Sequence, residues 1–174
     1  MPFTYQPATL QDIDFITSLI LAGARKGHFY PHLANNKTML RQLVLSMIHS
    51  DAQFSSGSFS EVMLGWQDNT RAGTTIITNT EKKDNSIELA VIIVKKELHG
   101  QGIGRQMLDG LLKRWLPYKT IYARCFPVSD KLVEMLLHRE FKIVQTTDTG
   151  TRILRRVQET SPVRSGDKPI FRVA

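Results

Sequence analysis

An apolar run from Ser86 to Lys95 ends near a turn with three alternating glycines, Gly100-Gln101-Gly102-Ile103-Gly104, after which the chain resumes with helical periodicity. Nothing else in the sequence restricts the fold as strongly. A run of that length without polar alternation predicts a strand covered on both faces. The helix that follows, from about Gly102 to Trp115, puts Ile103, Met107, Leu108, Leu111, Leu112 and Trp115 on one side. Thr120 to Phe126 again has the character of a strand. Two strands joined through a helix lie parallel, by a right-handed crossover, so the middle of the chain dictates an α/β sheet.

The flanking segments add antiparallel strands to that unit. Phe3 to Gln6 alternates as a short strand, and Thr9 with Asp12 three residues on is a capped start for a helix carrying Ile13, Ile16, Leu19 and Ile20. A second helix spans about Lys37 to His49. Ser50 to Ser60 is a loop; Val62, Leu64 and Trp66 alternate as a strand; a turn at Gln67-Asp68-Asn69-Thr70 leads to a strand over Gly73 to Asn79. Glu81 to Asn85 is a polar turn. A helix from Val128 to His138 and two strands, Phe141 to Thr147 and Arg152 to Val157 around a turn at Asp148-Thr149-Gly150, complete the order. The expectation is one domain over residues 1–157, α/β (α+β) in class: a mixed, mostly antiparallel six- to seven-stranded sheet with helices on both faces and one parallel strand–helix–strand unit. Residues 158–174 are expected to form a polar, basic tail.

Alternating glycines let the main chain approach a ligand closely and adopt dihedrals closed to other residues. Amides at the start of a helix have no partner within it, and together with the helix dipole they favour an anion. Lys95, Lys96 and Arg105 place positive charge nearby. A dinucleotide-binding reading fails, because its third glycine position falls on Met107 and the acidic residue it needs further on is absent. There is no phosphate-binding P-loop run either. From the residues alone two readings stay open: a pyrophosphate cradle, or a helix-entry turn without a ligand.

The turn resembles the acyl-CoA signature of the GNAT superfamily of N-acetyltransferases, in which a Gln or Arg is followed after two residues by Gly, any residue, and Gly or Ala. Gly102 and Gly104 match the two small positions, and His99 stands where Gln or Arg is preferred. Leu132 to Phe141 is similar to a second family segment, A-x-x-L-Y-x-x-x-G-F, with Met135 at its Leu, Leu136 at its Tyr and Phe141 at its end. The resemblance covers about residues 3–157 and implies a GNAT-like fold. It implies an acetyl-CoA-dependent N-acyltransferase that passes an acetyl group to a primary amine by direct attack in a ternary complex. The alternative is a catalytically weak acyl-CoA-binding or regulatory domain of the same fold.

Site residues follow from the same resemblance. His99, Gly100, Gln101, Gly102, Ile103, Gly104 and Arg105 would hold the pyrophosphate. The backbone of Ile92, Ile93 and Val94 would pair with the pantetheine arm and thioester, where the strand splays from its parallel neighbour at a bulge. Ser129 stands at the usual Asn position beside the cofactor. Glu88, 11 residues before His99, has the spacing of the general base, and partial burial in its apolar strand would raise its pKa; a glutamate paired with a basic neighbour is the alternative. Leu136 has no proton to give in place of the family's acidic Tyr, so Tyr122 is the candidate acid. His28, Phe29 and Tyr30, between the first two helices, are the expected acceptor contacts.

The remaining features narrow the partners. Of the net charge of +7, residues beyond 150 carry +4. A nucleic-acid surface would interleave a basic stripe with aromatics; here the charge gathers near the C-terminus, and no nucleic acid is expected. No apolar run reaches the roughly 20 residues of a membrane span, and the first residues lack a signal-peptide pattern, so the expected location is cytoplasmic. Cys125, alone, forms no internal disulfide and reads as a core residue. His28 and His32 lack a third ligand, so no metal is expected. The expected partners are acetyl-CoA and an amine acceptor; a homodimer is left open.

Overall fold

In the computed structural model, which describes residues 2–50, 59–80 and 85–159, seven strands form one sheet. They are β1 (Phe3–Pro7), β2 (Ser60–Gln67), β3 (Thr70–Asn79), β4 (Ser86–Val94), β5 (Thr120–Cys125), β6 (Lys142–Thr146) and β7 (Arg152–Arg156), in the spatial order β1-β2-β3-β4-β5-β7-β6. The helices are α1 (Ile13–Arg25), α2 (Lys37–Ser50), α3 (Ile103–Trp115) and α4 (Asp130–Leu137). Only β4 and β5 pair in parallel; every other neighbouring pair is antiparallel. Fold class and element order agree with the sequence expectation. The loop expected over 50–60 and the turn over 81–85 lie mostly outside the described residues. Of the expected tail, Gln158 and Glu159 bond to Thr120 and Leu116; the rest lies outside them too. Among the described residues no helix is long and apolar enough to cross a membrane.

Helices cover the sheet on both sides. Ile13, Ile16 and Ile20 of α1 and Leu40 and Val44 of α2 pack on Val62, Leu64 and Ile76. On the opposite face, Leu108, Leu111 and Trp115 of α3 and Val133 and Leu136 of α4 pack with Ile77, Ile87, Leu89, Ile121 and Leu154. Between the alternating Val62, Leu64 and Trp66, Met63 is also buried, because both faces of β2 are covered. The β2–β3 turn holds φ of 52° at Asp68 and 59° at Asn69, both left-handed, as a two-residue hairpin matched to strand twist requires.

A bulge in β4 sets the geometry that matters most. Val91 pairs with Ile76 and Leu89 with the next residue, Ile77, leaving Ala90 unmatched. Without it, Leu89 and Val91 would share a face. With it, Leu89 joins the core under α3 and Val91 the core under α1.

Two buried carboxylates tie helices to strands. Asp12 accepts from the Thr9 amide at 2.7 Å and from Arg71 Nε at 2.7 Å. Burial pushes its carboxyl up, but the Thr9 amide and Arg71 outweigh this and hold it below the usual carboxylate value. Arg71 also lies over the Trp66 ring, 5.1 Å from its centroid. Glu61 on β2 accepts from Arg114 Nη2 at 2.6 Å and from Trp115 Nε1 at 2.8 Å, both on α3. Replacing Glu61 by Leu strands the indole N–H in the core, and we expect a loss of about 2–3 kcal/mol. Urea unfolding with an unchanged slope and a lowered midpoint is the check.

Candidate active site

β4 and β5 are paired only from Ser86–Leu89 to Thr120–Ala123. Beyond Leu89 the two strands part, at the bulge, and a groove of about 570 Å³ opens between them. Ala90, Ile92, Ile93 and Val94 form one wall, Gly23, Lys26, His28 and Phe29 a second, and Ser129, Lys131 and Leu132 a third. A second cavity of about 450 Å³ continues past the glycine turn, lined by Gly100 and the residues from Gly102 to Arg105 and by Glu134 and Met135 of α4. Val94, His99 and Lys131 line both, so the two adjoin as parts of one groove along the end of β4. The end of β4, the turn and Ser129 thus come together around these cavities. Gln101 alone among the predicted turn residues lines neither part.

The turn has the conformation that its glycines permit. Gly100 and Gly102 hold φ of 81° and 77°, and a Cβ at either would meet nothing within 4 Å. Gly104 differs: it is helical, and a Cβ there would sit at an ordinary 3.5 Å from Val94 Cγ2. The first bond of α3 runs from the Gln106 amide to the Gly102 carbonyl at 3.1 Å, so the amides of Gly102 to Arg105 have no partner within the helix. That backbone concavity, open where side chains would stand, fits a pyrophosphate. His99 Nε2 donates to the Val94 carbonyl at 2.8 Å; since a carbonyl only accepts, this nitrogen carries the proton. The histidine staples the turn to the end of β4.

Across the groove, His28 Nδ1 and Ser129 Oγ are 2.9 Å apart, joining segments 101 residues distant in sequence. Burial, then the charges of Lys26 and His99, lower the His28 pKa below the usual imidazole value. Phe29 lies against α1, where a Cβ at Gly23 would meet its Cε2 at 2.5 Å; the small residue lets the loop close on the helix. Tyr30 turns elsewhere: it is half exposed, packs edge-on against Phe126 at 5.1 Å, and lines none of these cavities.

Glu88 and Tyr122 occupy the opposite sheet face from Ile87 and Leu89, side by side in register. They line a third cavity of about 380 Å³ with Asn79, Thr80, Arg124 and Gln145. Arg124 Nε stands 3.5 Å from Glu88 Oε1, and Arg124 also lines the groove beside β4. Glu88 and Tyr122 are therefore neighbours, and neither lines either part of the groove that contains His99 and Ser129. Leu136 is fully buried in the core. Glu140, where the family segment has glycine, takes φ of 63° and so keeps the left-handed turn. Cys125 is buried, and burial pushes its thiol up to about 12, which leaves it unreactive.

Arg124, Lys26 and Lys131 escaped the sequence reading. Alternation within β5, with Ile121, Ala123 and Cys125 inward, already places Arg124 on the face of Tyr122, but its nearness to Glu88 depends on the register between β4 and β5.

No family model matches the chain, and no curated protein matches it in sequence. Solved structures do. PaiA N-acetyltransferase from Thermoplasma acidophilum, in complex with coenzyme A, superposes with a TM-score of 0.72 at 13% identity over 90% of this chain and 99% of that one. YncA from Salmonella typhimurium, with its cofactor acetyl-CoA, gives 0.75 at 12% identity over 96% and 100%. A protein of the GNAT family from Desulfovibrio desulfuricans gives 0.67 at 15% over 91% and 100%. The chain has the GNAT fold. The matches span nearly the whole of both chains.

The two kinds of glycine in the turn give opposite expectations. Gly102→Ala forces a side chain into the left-handed region and should cost about 1–2 kcal/mol. Gly104→Ala meets only ordinary contacts and gains helix propensity, up to about 1 kcal/mol. Denaturation midpoints should fall on opposite sides of the wild type; equal shifts would refute the assignment. For His28, an NMR titration should give a midpoint below the ordinary value of about 6.5, and Lys26→Gln should move it upward.

Proposed function

We propose that this chain is an acetyl-CoA-dependent N-acetyltransferase that passes an acetyl group to a primary amine by direct attack in a ternary complex. What carries this reading is the parting of β4 from β5 at Ala90, which opens a groove running from exposed strand backbone to an unfilled glycine turn at a helix N-terminus. The fold shared with structures solved with coenzyme A and acetyl-CoA supports it.

Bound acetyl-CoA supplies an acyl thioester. In this proposal the amides from Gly102 to Arg105 take the pyrophosphate, with Gly100 giving it room and Arg105 and Lys131 adding charge. The free edge of β4 at Ile92, Ile93 and Val94 orients the pantetheine arm and the acyl carbonyl. Ser129, fixed by His28, closes the far wall. Glu88 takes the proton of the amine as the nitrogen–carbon bond forms and the carbon–sulfur bond breaks. The thiolate leaves into the groove and gains a proton, for which Ser129 is the candidate donor. Phe29 shapes the acceptor side.

The buried, aprotic Leu136 favours a second reading, in which the same groove binds an acyl-CoA with little catalysis. Both readings require binding. A ligand present at one hundred times its Kd stabilises by about 2.7 kcal/mol, so saturating acetyl-CoA should raise the melting temperature by roughly 5 °C or more. No rise at millimolar concentration would sink both. Glu88→Gln should keep the rise while lowering thiol release with amine acceptors by about 10²- to 10⁴-fold. A wild type that binds but releases no thiol with any amine library would leave only the second reading.

A further inference from the structure

The ion pair between Glu88 and Arg124 is unlike the others. Every other ion pair described spans 2.6–2.9 Å, whereas this one spans 3.5 Å. Both side chains stay open, at 27% and 39% exposure. They face a cavity of about 380 Å³, a small-molecule volume, and Arg124 is the residue that this cavity shares with the groove beside β4. An acceptor amine within reach of both Glu88 and that groove therefore meets Arg124.

Charge decides what such an acceptor is. A plain amine arrives as an ammonium ion, and against a carboxylate already paired with a guanidinium it gains one contact and loses as much to the neighbouring like charge. Among the described residues, the lining of this cavity adds no second carboxylate. Arg155 and Lys142 are exposed on strands β7 and β6, in register with Tyr122 and with each other, on the Glu88 face. Lys26 and Lys131 border the groove, and Asp130 there is engaged by Arg152 at 2.8 Å.

We propose that the acceptor is a free α-amino acid, its amine at Glu88 and its carboxylate on Arg124. Its ammonium and carboxylate sit on one carbon and can lie across the loose ion pair with both charges met. A guanidinium binds a carboxylate through paired, charge-assisted hydrogen bonds. A phosphate dianion is a poorer match, because Glu88 stands beside the same guanidinium. A peptide N-terminus lacks the adjacent carboxylate altogether. This proposal rests on the acetyltransferase reading and specifies its substrate class.

The test is thiol release from acetyl-CoA with a panel of the common L-amino acids, each beside its α-amide and its decarboxylated amine, with O-phosphoethanolamine and a short peptide as further arms. For the best amino acid, kcat/KM is expected to exceed that of its amide by about 10- to 100-fold, chiefly through KM, the range of one charge-assisted contact. Arg124→Gln should bring the ratio of acid to amide close to one, whatever its absolute rate, and Arg124→Lys should restore part of it. The proposal is overturned if the amide, the amine, phosphoethanolamine or the peptide matches the amino acid. It is also overturned if Arg124→Gln leaves the ratio unchanged, or if no amino acid releases thiol while acetyl-CoA still stabilises the wild type. Absence of that stabilisation would instead remove the acetyltransferase reading itself.

Discussion

The structure turns on one unmatched residue, Ala90. A parallel pair of strands offers no opening for a ligand while its ladder is intact, because the backbone groups that each strand turns toward the other are taken. The extra residue shifts the side-chain parity of β4 between Leu89 and Val91, so one strand serves the core under α3 before the bulge and the core under α1 after it. Pairing with β5 stops at the same point. The side of β4 that would have bonded to β5 is left facing a groove instead. The same stretch of β4 thus serves both cores and borders the groove.

The groove would be a weak feature if its walls moved independently. Short polar contacts hold them. His99 donates to the last carbonyl of β4 and fixes the glycine turn to the strand that precedes it. His28 meets Ser129 and fixes the α1–α2 loop to the start of α4. Gly23 lets Phe29 pack close enough for that bond to form. Each contact is worth about 1 kcal/mol, little beside the burial of the two cores. Their value lies in position, since each ties an element that carries part of the site to another that carries a different part.

Much of this was legible in the sequence, and the parts that were not share a cause. The strand–turn–helix unit is local: its evidence is an unalternating run, a 3.6-residue period and glycines in between, all within thirty residues. The capping of α1 by Thr9 and Asp12 and the hairpin at Asp68 and Asn69 are local as well. Arg124 was missed because its meeting with Glu88 depends on where the β4–β5 ladder starts and stops, a property of two segments separated by a helix. The bond between His28 and Ser129 joins residues from opposite ends of the domain. Double burial of β2 depends on how many layers cover the sheet, which the alternation of Val62, Leu64 and Trp66 does not encode. Tyr30 went the other way: its neighbours enter the groove, but the ring finds Phe126.

The same long-range geometry bears on how a site with Leu136 in the core can work. An acid is needed only if the thiolate is too poor a leaving group to depart unassisted, and a thiolate is far more stable near neutral pH than an alkoxide or an amide anion. The more demanding requirement is at the other end: an ammonium must lose its proton before it can attack. Here that end is the better furnished, with Glu88, Arg124 and Tyr122 gathered in one cavity at the edge of the groove. In the proposed reaction the polar residues would stand where the barrier is, and with Glu88 as base the guanidinium of Arg124 beside it would make acceptor recognition and proton removal parts of one arrangement.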